Sequence, residues 1–114
     1  MKNIIKKVFM LPLLVCMATG LLAQTAEVKI KTSAVCEMCK KTIERDLAFE
    51  KAVKKVTLNL DDKVVTVVYN PKKTDEQKIR FAITQIGYDA DSLVADSTAY
   101  QKLPDCCKKD SEMH

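Results

Sequence analysis

The chain has 114 residues, a formal net charge of +4 at pH 7, one histidine and five cysteines. Lys2, Lys6 and Lys7 lie in an N-terminal segment, and without that segment the net charge falls to +1. So small a charge does not indicate a nucleic-acid or membrane-surface partner. One histidine without clustered carboxylates also leaves no obvious base and nucleophile for hydrolytic catalysis, and the length predicts a single domain.

Residues 1–23 have the pattern of a secretory signal peptide. The lysines precede about 15 apolar residues, fewer than the ~20 that span a bilayer, and the segment ends in Leu-Leu-Ala before Gln24. We therefore predict cleavage after Ala23 and an exported protein, periplasmic or secreted, with no membrane contact after cleavage. The alternatives are a retained anchor and lipid attachment at Cys16, although Val15 is larger than the residue that usually precedes a lipidated cysteine.

Residues 24–96 are predicted to form the folded domain. Apolar and charged residues alternate over residues 27–33, which is the period of a half-buried strand. Over residues 37–49 the apolar side chains recur every four positions, at Cys39, Ile43 and Leu47. This spacing predicts an amphipathic helix with one buried face.

In the middle of the domain, the sequence pattern predicts a β-hairpin followed by a second helix. Residues 56–60 alternate again, Asp61-Asp62 marks a turn, and residues 64–69 are rich in β-branched side chains. Thr74 is the expected N-cap of the helix, and Gly87 is expected to end it.

A last strand is predicted over residues 88–94, which completes the order β-α-β-β-α-β. This order is typical of the ferredoxin-like α+β fold, in which a four-stranded antiparallel sheet carries both helices on one face.

The strongest chemical signal is the run Cys36-Glu37-Met38-Cys39 at the start of the first helix. Cysteines spaced in this way have Cβ atoms about 5 to 6 Å apart, so two sulfur atoms can hold one ion at ~2.3 Å each. The positive end of the helix dipole favours thiolates there. Two thiolates without a third nearby ligand suit Cu(I) or Hg(II) better than Zn(II), whose structural sites are usually four-coordinate.

Over residues 27–94 the chain resembles the heavy-metal-associated domain family of copper chaperones, metal-transport ATPase domains and periplasmic mercury-binding proteins. The resemblance rests on the C-x-x-C motif after the first strand, the element order, and Ile86-Gly87-Tyr88 after the second helix. It differs at Ser33-Ala34, where family members usually carry Gly-Met. The resemblance implies that Cys36 and Cys39 bind the ion and that Tyr88 approaches the metal loop. The alternative for Tyr88 is an aromatic side chain half-buried on the last strand.

The resemblance further implies transfer by ligand exchange through a transient three-thiolate intermediate, without a catalytic step. The expected ion is Cu(I), with Hg(II), Zn(II) and Cd(II) as alternatives. The expected partner is a metal-transporting ATPase or another metal-binding domain.

Residues 97–114 are predicted to be a polar tail that contains Cys106 and Cys107. One interpretation is that these thiols are auxiliary ligands of the same ion, and the other is that they are a surface pair without a fixed partner. Met113 and His114 could add soft or borderline ligands at the end of the chain. One short helical turn is predicted over residues 97–103, and the rest of the tail is predicted to be mobile.

Two further functions remain open at this point. A C-x-x-C motif at a helix N-terminus is also found in thiol-disulfide oxidoreductases, although Glu37-Met38 lacks the aromatic or proline residues expected there. Alternatively, four cysteines in an exported chain could form disulfides that stabilise an interaction module. A bond between the adjacent Cys106 and Cys107 would be strained, which weakens this second alternative.

Overall fold

The computed structural model describes residues 25–109 of the chain. These residues form β1 (Ala26–Lys31), α1 (Glu37–Ala48), β2 (Val53–Asn59), β3 (Val64–Tyr69) and α2 (Glu76–Ile86). A short helix, α3 (Ser97–Gln101), and a 3₁₀ turn (Asp105–Cys107) follow them.

The three strands form one antiparallel sheet in the order β1-β3-β2. Val67 at the centre of β3 lies opposite Val28 of β1 and Val56 of β2. Buried and exposed residues alternate along β1, as the sequence predicted, so that one face of the sheet is apolar. The predicted hairpin is also confirmed, because β2 and β3 pair across the turn at Asp61-Asp62.

Both long helices bury one apolar face in the same core as the sheet. In α1 the buried residues are Cys39, Ile43 and Leu47, which confirms the predicted spacing of four. In α2 they are Ile79, Ala82, Ile83 and Thr84. Cys39 therefore has two roles, since it is a core residue as well as a member of the C-x-x-C motif.

The N-cap of α2 is one residue later than predicted. The Asp75 carboxylate, rather than the Thr74 hydroxyl, accepts a hydrogen bond from the backbone N–H of Lys78 at 2.9 Å. Gly87 ends the helix as predicted, with a φ of 118° that disfavours any residue with a side chain.

The fourth strand predicted over residues 88–94 is not formed within the described part of the chain. One antiparallel bridge joins Thr32 to Ala90, and the chain then turns back on itself between Ala90 and Leu93. Asp91 has a φ of 51° and its carboxylate accepts a hydrogen bond from the backbone N–H of Lys31 at 2.9 Å. The Asp91 backbone N–H still donates to the Lys31 carbonyl at 2.8 Å, so the carboxylate replaces the carbonyl that a regular strand would offer to the Lys31 N–H, and no strand is formed beyond this point in the described residues.

The part of the tail that the structure describes is folded onto the domain. Helix α3 confirms the predicted helical turn. Leu103 and Cys107 are buried, with 9% and 1% of their surface exposed, and both belong to the hydrophobic core. This packing differs from the mobile segment that the polar sequence predicted. Within residues 25–109 we find no helix long and apolar enough to cross a membrane.

Candidate metal centre

The C-x-x-C motif lies where the loop after β1 enters α1. Cys36 is the N-cap of α1, with extended backbone angles, and Cys39 lies in the first helical turn with no exposed surface. Their Sγ atoms are 3.1 Å apart. A disulfide bond is ~2.05 Å long, so the two residues are separate thiols that face each other.

Hydrogen bonds from the short polar side chains before the motif hold this loop. The Thr32 hydroxyl donates to the Lys63 carbonyl at 2.8 Å and accepts from the Ala34 backbone N–H at 3.2 Å. Ser33 Oγ accepts from the Asp89 backbone N–H at 2.9 Å, and Ala34 is fully buried. Ser33-Ala34, the point at which the sequence departs from the family pattern, is thus anchored by hydrogen bonding and burial.

The tail brings two more cysteines to the same place. Cys36 Sγ lies 3.7 Å from Cys106 Sγ and 3.7 Å from Cys107 Sγ, while the two tail sulfurs are 4.0 Å apart. Cys36, Cys106 and Cys107 are the group of described residues whose ligand atoms cluster within 4.8 Å of one another. Cys36 therefore belongs both to the C-x-x-C pair and to a triangle with the tail cysteines.

An apolar contact and an ion pair fix the tail in this position. Leu103 packs against Gly87, since a Cβ atom built on that glycine would lie 3.1 Å from the leucine side chain. At the far end, Lys109 Nζ lies 2.7 Å from the Asp89 carboxylate, and the Lys109 backbone N–H donates to the Tyr100 hydroxyl at 2.9 Å.

The surroundings of Cys36 favour its thiolate. Partial burial opposes ionisation, but the hydrogen-bonding contacts with the side chain and backbone of Cys39, and then with Cys107 and Cys106, outweigh it. Together they lower the pKa of Cys36 from 9.0 to about 7. Since the thiolate is the form that binds metal and attacks electrophiles, these interactions increase the reactivity of Cys36.

The pKa values of the two tail thiols, Cys106 and Cys107, are raised rather than lowered. Burial, followed by the neighbouring Cys39 side chain, raises the pKa of Cys107. The hydrogen bond with Cys36 is the main reason why the pKa of Cys106 is also raised. The tail thiols therefore favour their protonated forms at neutral pH, whereas Cys36, with a pKa of about 7, is about half ionised there.

Tyr88 lies beneath the cluster with no exposed surface. Its hydroxyl has no partner in hydrogen-bonding geometry. Burial, followed by proximity to the Cys107 and Cys39 sulfurs, raises its pKa. Of the two alternatives for Tyr88, its approach to the metal loop is the one observed, and the half-buried strand aromatic is wrong.

Met38 is half exposed, and its Sδ lies 3.8 Å from Cys106 Sγ. It therefore contacts the tail at Cys106. Residues 1–23, with Cys16, and the terminal Met113 and His114 lie outside the described residues.

Comparison with known proteins assigns the domain. Residues 30–89 match the model of the heavy-metal-associated domain family, and the chain belongs to this family. Over 71 residues it is 35% identical to a copper-exporting P-type ATPase of Staphylococcus aureus (strain JH9). That match covers 62% of this chain but only 9% of the ATPase.

Two solved structures support the same fold. A CopZ metallochaperone superposes with a TM-score of 0.54 at 26% identity, covering 57% of this chain and 98% of that one. The N-terminal domain of a potential copper-translocating P-type ATPase from Bacillus subtilis, in its Cu(I)-loaded state, gives a TM-score of 0.55 at 26% identity. It covers 59% of this chain and 85% of the solved domain. The family and the fold assign a heavy-metal-associated domain, and the cysteine cluster supplies the thiol ligands that such a domain needs to bind a metal ion.

Proposed function

We propose that this chain binds Cu(I) between Cys36 and Cys39 and passes the ion to a partner by thiolate exchange, with no catalytic step of its own. The observation that carries the proposal is the pair of facing thiols at the start of α1, 3.1 Å apart. The pKa of about 7 at Cys36 supports it, because metal binding then displaces few protons near neutral pH.

The chemistry of the pair favours a soft ion. Linear coordination by two thiolates needs a sulfur-sulfur distance of ~4.6 Å, so the two sulfurs must separate by about 1.5 Å on binding. Cys36 is the residue placed to move, since it lies outside the first helical turn and is only partly buried. Hg(II), Cd(II) and Zn(II) are the competing ions, and Zn(II) would require further ligands.

A metal-transporting ATPase, or another domain of the same family, is the proposed partner. The staphylococcal relatives are copper-exporting ATPases, and this chain matches a short part of them. Transfer between two C-x-x-C sites would proceed through an ion shared by three thiolates, so that the ion is never released to water.

The test is an anaerobic Cu(I) titration of the reduced chain against a competing chelator. Tight binding of one ion is expected in the parent and in Cys16→Ser, which is the matched control for loss of a thiol outside the site. Binding should be lost in Cys36→Ser/Cys39→Ser. Mixing the loaded chain with the isolated metal-binding domain of a copper-translocating ATPase should then move the ion to that domain. Equal chelator competition by the double variant and the parent would reject the proposal.

Thiol-disulfide exchange is the second candidate, because two thiols at 3.1 Å with one pKa near 7 also suit that chemistry. Measuring the reduction potential of the Cys36–Cys39 pair separates the two functions. A readily cycled disulfide in a chain that fails to retain Cu(I) would favour the redox function.

We also propose that residues 1–23 direct export and are removed. Mass spectrometry of the mature N-terminus tests this, with Gln24 expected as the first residue.

A further inference from the structure

The tail cysteines are a feature that a two-thiolate carrier does not need. Cys106 and Cys107 lie about 70 positions along the chain from Cys36, yet each has its sulfur 3.7 Å from Cys36 Sγ. Leu103 and the ion pair between Lys109 and Asp89 hold them there. A polar tail is therefore packed onto the domain in a way that brings two thiols to the metal loop.

The three sulfur atoms have the dimensions of a coordination site. The sides of the triangle are 3.7, 3.7 and 4.0 Å. A point equidistant from its corners lies about 2.2 Å from each sulfur, close to the ~2.3 Å of a metal-thiolate bond. Cys36, Cys106 and Cys107 thus need almost no movement to hold one ion in trigonal geometry. The Cys36–Cys39 pair, at 3.1 Å, has to open before it can hold one in a line.

From this geometry we infer that Cys36, Cys106 and Cys107 form a three-thiolate site for a soft metal ion, which shares Cys36 with the C-x-x-C pair. The choice of Cu(I) as the probe rests on the proposed function, whereas the ligand set rests on the distances alone. The docked tail would act as an internal holding site.

Burial around the triangle supports this assignment. Cys107 is 1% exposed and belongs to the core, while Cys106 is exposed and gives the ion a way in. The buried Tyr88 hydroxyl has no hydrogen-bond partner, although the Cys107 sulfur is near it. A Cys107 thiolate bonded to metal would be an acceptor for that hydroxyl, which would satisfy an otherwise costly buried group.

The shared cysteine also gives a route between the two sites. When the ion moves from the triangle to the pair, its bonds to Cys106 and Cys107 break and a bond to Cys39 forms, while Cys36 stays bonded. The Cys39 thiol releases a proton to solvent, and the two tail thiolates each take one up. No electrons are transferred. Undocking of the tail would then present the ion on the pair to an acceptor.

X-ray absorption spectroscopy of the Cu(I)-loaded full chain counts the sulfur ligands directly. All variants carry Cys16→Ser, so that each remaining cysteine is one of the four in the cluster. We expect three sulfurs around the ion in Cys39→Ser and two in Cys39→Ser/Cys106→Ser. This matched pair differs only at an exposed residue, and circular dichroism checks that both variants fold. If Cys39→Ser does not fold, the parent is compared with Cys106→Ser/Cys107→Ser instead. We then expect three sulfurs around the ion in the parent and two in that double variant.

The outcomes separate this inference from the proposed function. Two sulfurs in the parent, with no change in the tail variants, would overturn the three-thiolate site and leave the two-thiolate carrier intact. Failure of the parent to retain Cu(I) against the chelator would reject the carrier function itself. In that case loading with Cd(II) tests the ligand set independently, and fewer than three sulfurs around Cd(II) would overturn it.

Discussion

The two cysteine pairs reach the same place by different means. Cys36 and Cys39 are positioned by local structure, since one caps α1 and the other lies in its first turn. Cys106 and Cys107 are positioned by long-range packing, through Leu103 in the core and Lys109 on Asp89. A pair set by a helix start needs only that helix to form. A pair set by packing moves away when its contacts open, so we expect the tail cysteines to leave the proposed metal site without unfolding of the domain.

The largest effect is expected from removing the sulfur that both sites share. Cys36→Ser should weaken Cu(I) binding about 1,000-fold, by analogy with structural Zn(II) sites, where about 10–16 kcal/mol is spread over four ligands, or up to about 4 kcal/mol for each. Cys39→Ser should lose much less, since Cys36, Cys106 and Cys107 remain together. Competition with a chelator measures the Cu(I) affinity of both variants. Equal losses in the two variants would show that the tail contributes nothing.

A leucine of the domain and a leucine of the tail should differ in how their loss affects stability. Leu47 is fully buried and Leu103 is 9% exposed. Leu47→Ala should lower the free energy of unfolding by about 3 kcal/mol, within the usual range for a core leucine. Leu103→Ala should cost about 2 kcal/mol, and most of this loss should appear as local undocking of the tail.

Urea unfolding measures the loss of stability in Leu47→Ala, and amide exchange at Cys107 measures the undocking of the tail in Leu103→Ala. The Cys107 N–H donates to the Pro104 carbonyl at 2.9 Å, so undocking exposes it to solvent. We expect about 30-fold faster exchange at this amide in Leu103→Ala, with little change in α1. Uniformly faster exchange throughout the domain would mean that the tail does not open separately.

The third prediction concerns pH and the reactivity of the metal-free thiols. With a pKa of about 7, Cys36 should be alkylated with a rate that rises through pH 7 and then levels off. The rate for Cys106 should still be rising above pH 9, because its pKa is raised from 9.0. At pH 7 Cys36 should react about 5-fold faster, since its larger thiolate fraction outweighs its lower nucleophilicity.

Mass spectrometry of iodoacetamide-labelled peptides follows both residues in one sample. As the pH falls below 7, Cys36 takes up its proton, and both its alkylation rate and its affinity for metal should fall. Similar pH profiles for the two thiols would show that the contacts around Cys36 do not favour its thiolate.

The smallest effect is expected at the ion pair that anchors the end of the tail. The Lys109 and Asp89 side chains are 46% and 27% exposed, so Lys109→Ala should weaken tail docking by less than about 1 kcal/mol. The increase in Cys107 amide exchange should disappear at about 1 M salt, which screens exposed charges. Arg45→Ala is the control, because it removes the exposed Arg45–Asp46 pair and should leave Cys107 unaffected. An equal effect in the control would assign the change to net charge.

Much of the fold follows from local patterns of apolar and polar residues that are visible in the sequence. The alternation in β1 and the spacing of Cys39, Ile43 and Leu47 predict elements that the structure confirms. The prediction of a fourth strand was wrong, because an alternating sequence pattern does not show which groups compete for the hydrogen bonds at the edge of β1. The Asp91 side chain accepts a hydrogen bond from the Lys31 N–H, which a further strand would otherwise have used.

The sequence by itself determined the C-x-x-C pair, because residues three apart at a helix start are neighbours whatever the rest of the chain does. Only the tertiary structure decided the place of Cys106 and Cys107. Their distance from Cys36 depends on the burial of Leu103 and Cys107 in the core and on the ion pair of Lys109 with Asp89, which are contacts between separate segments of the chain. Such contacts have no period and no spacing, so a polar tail that docks has the same sequence signature as one that does not.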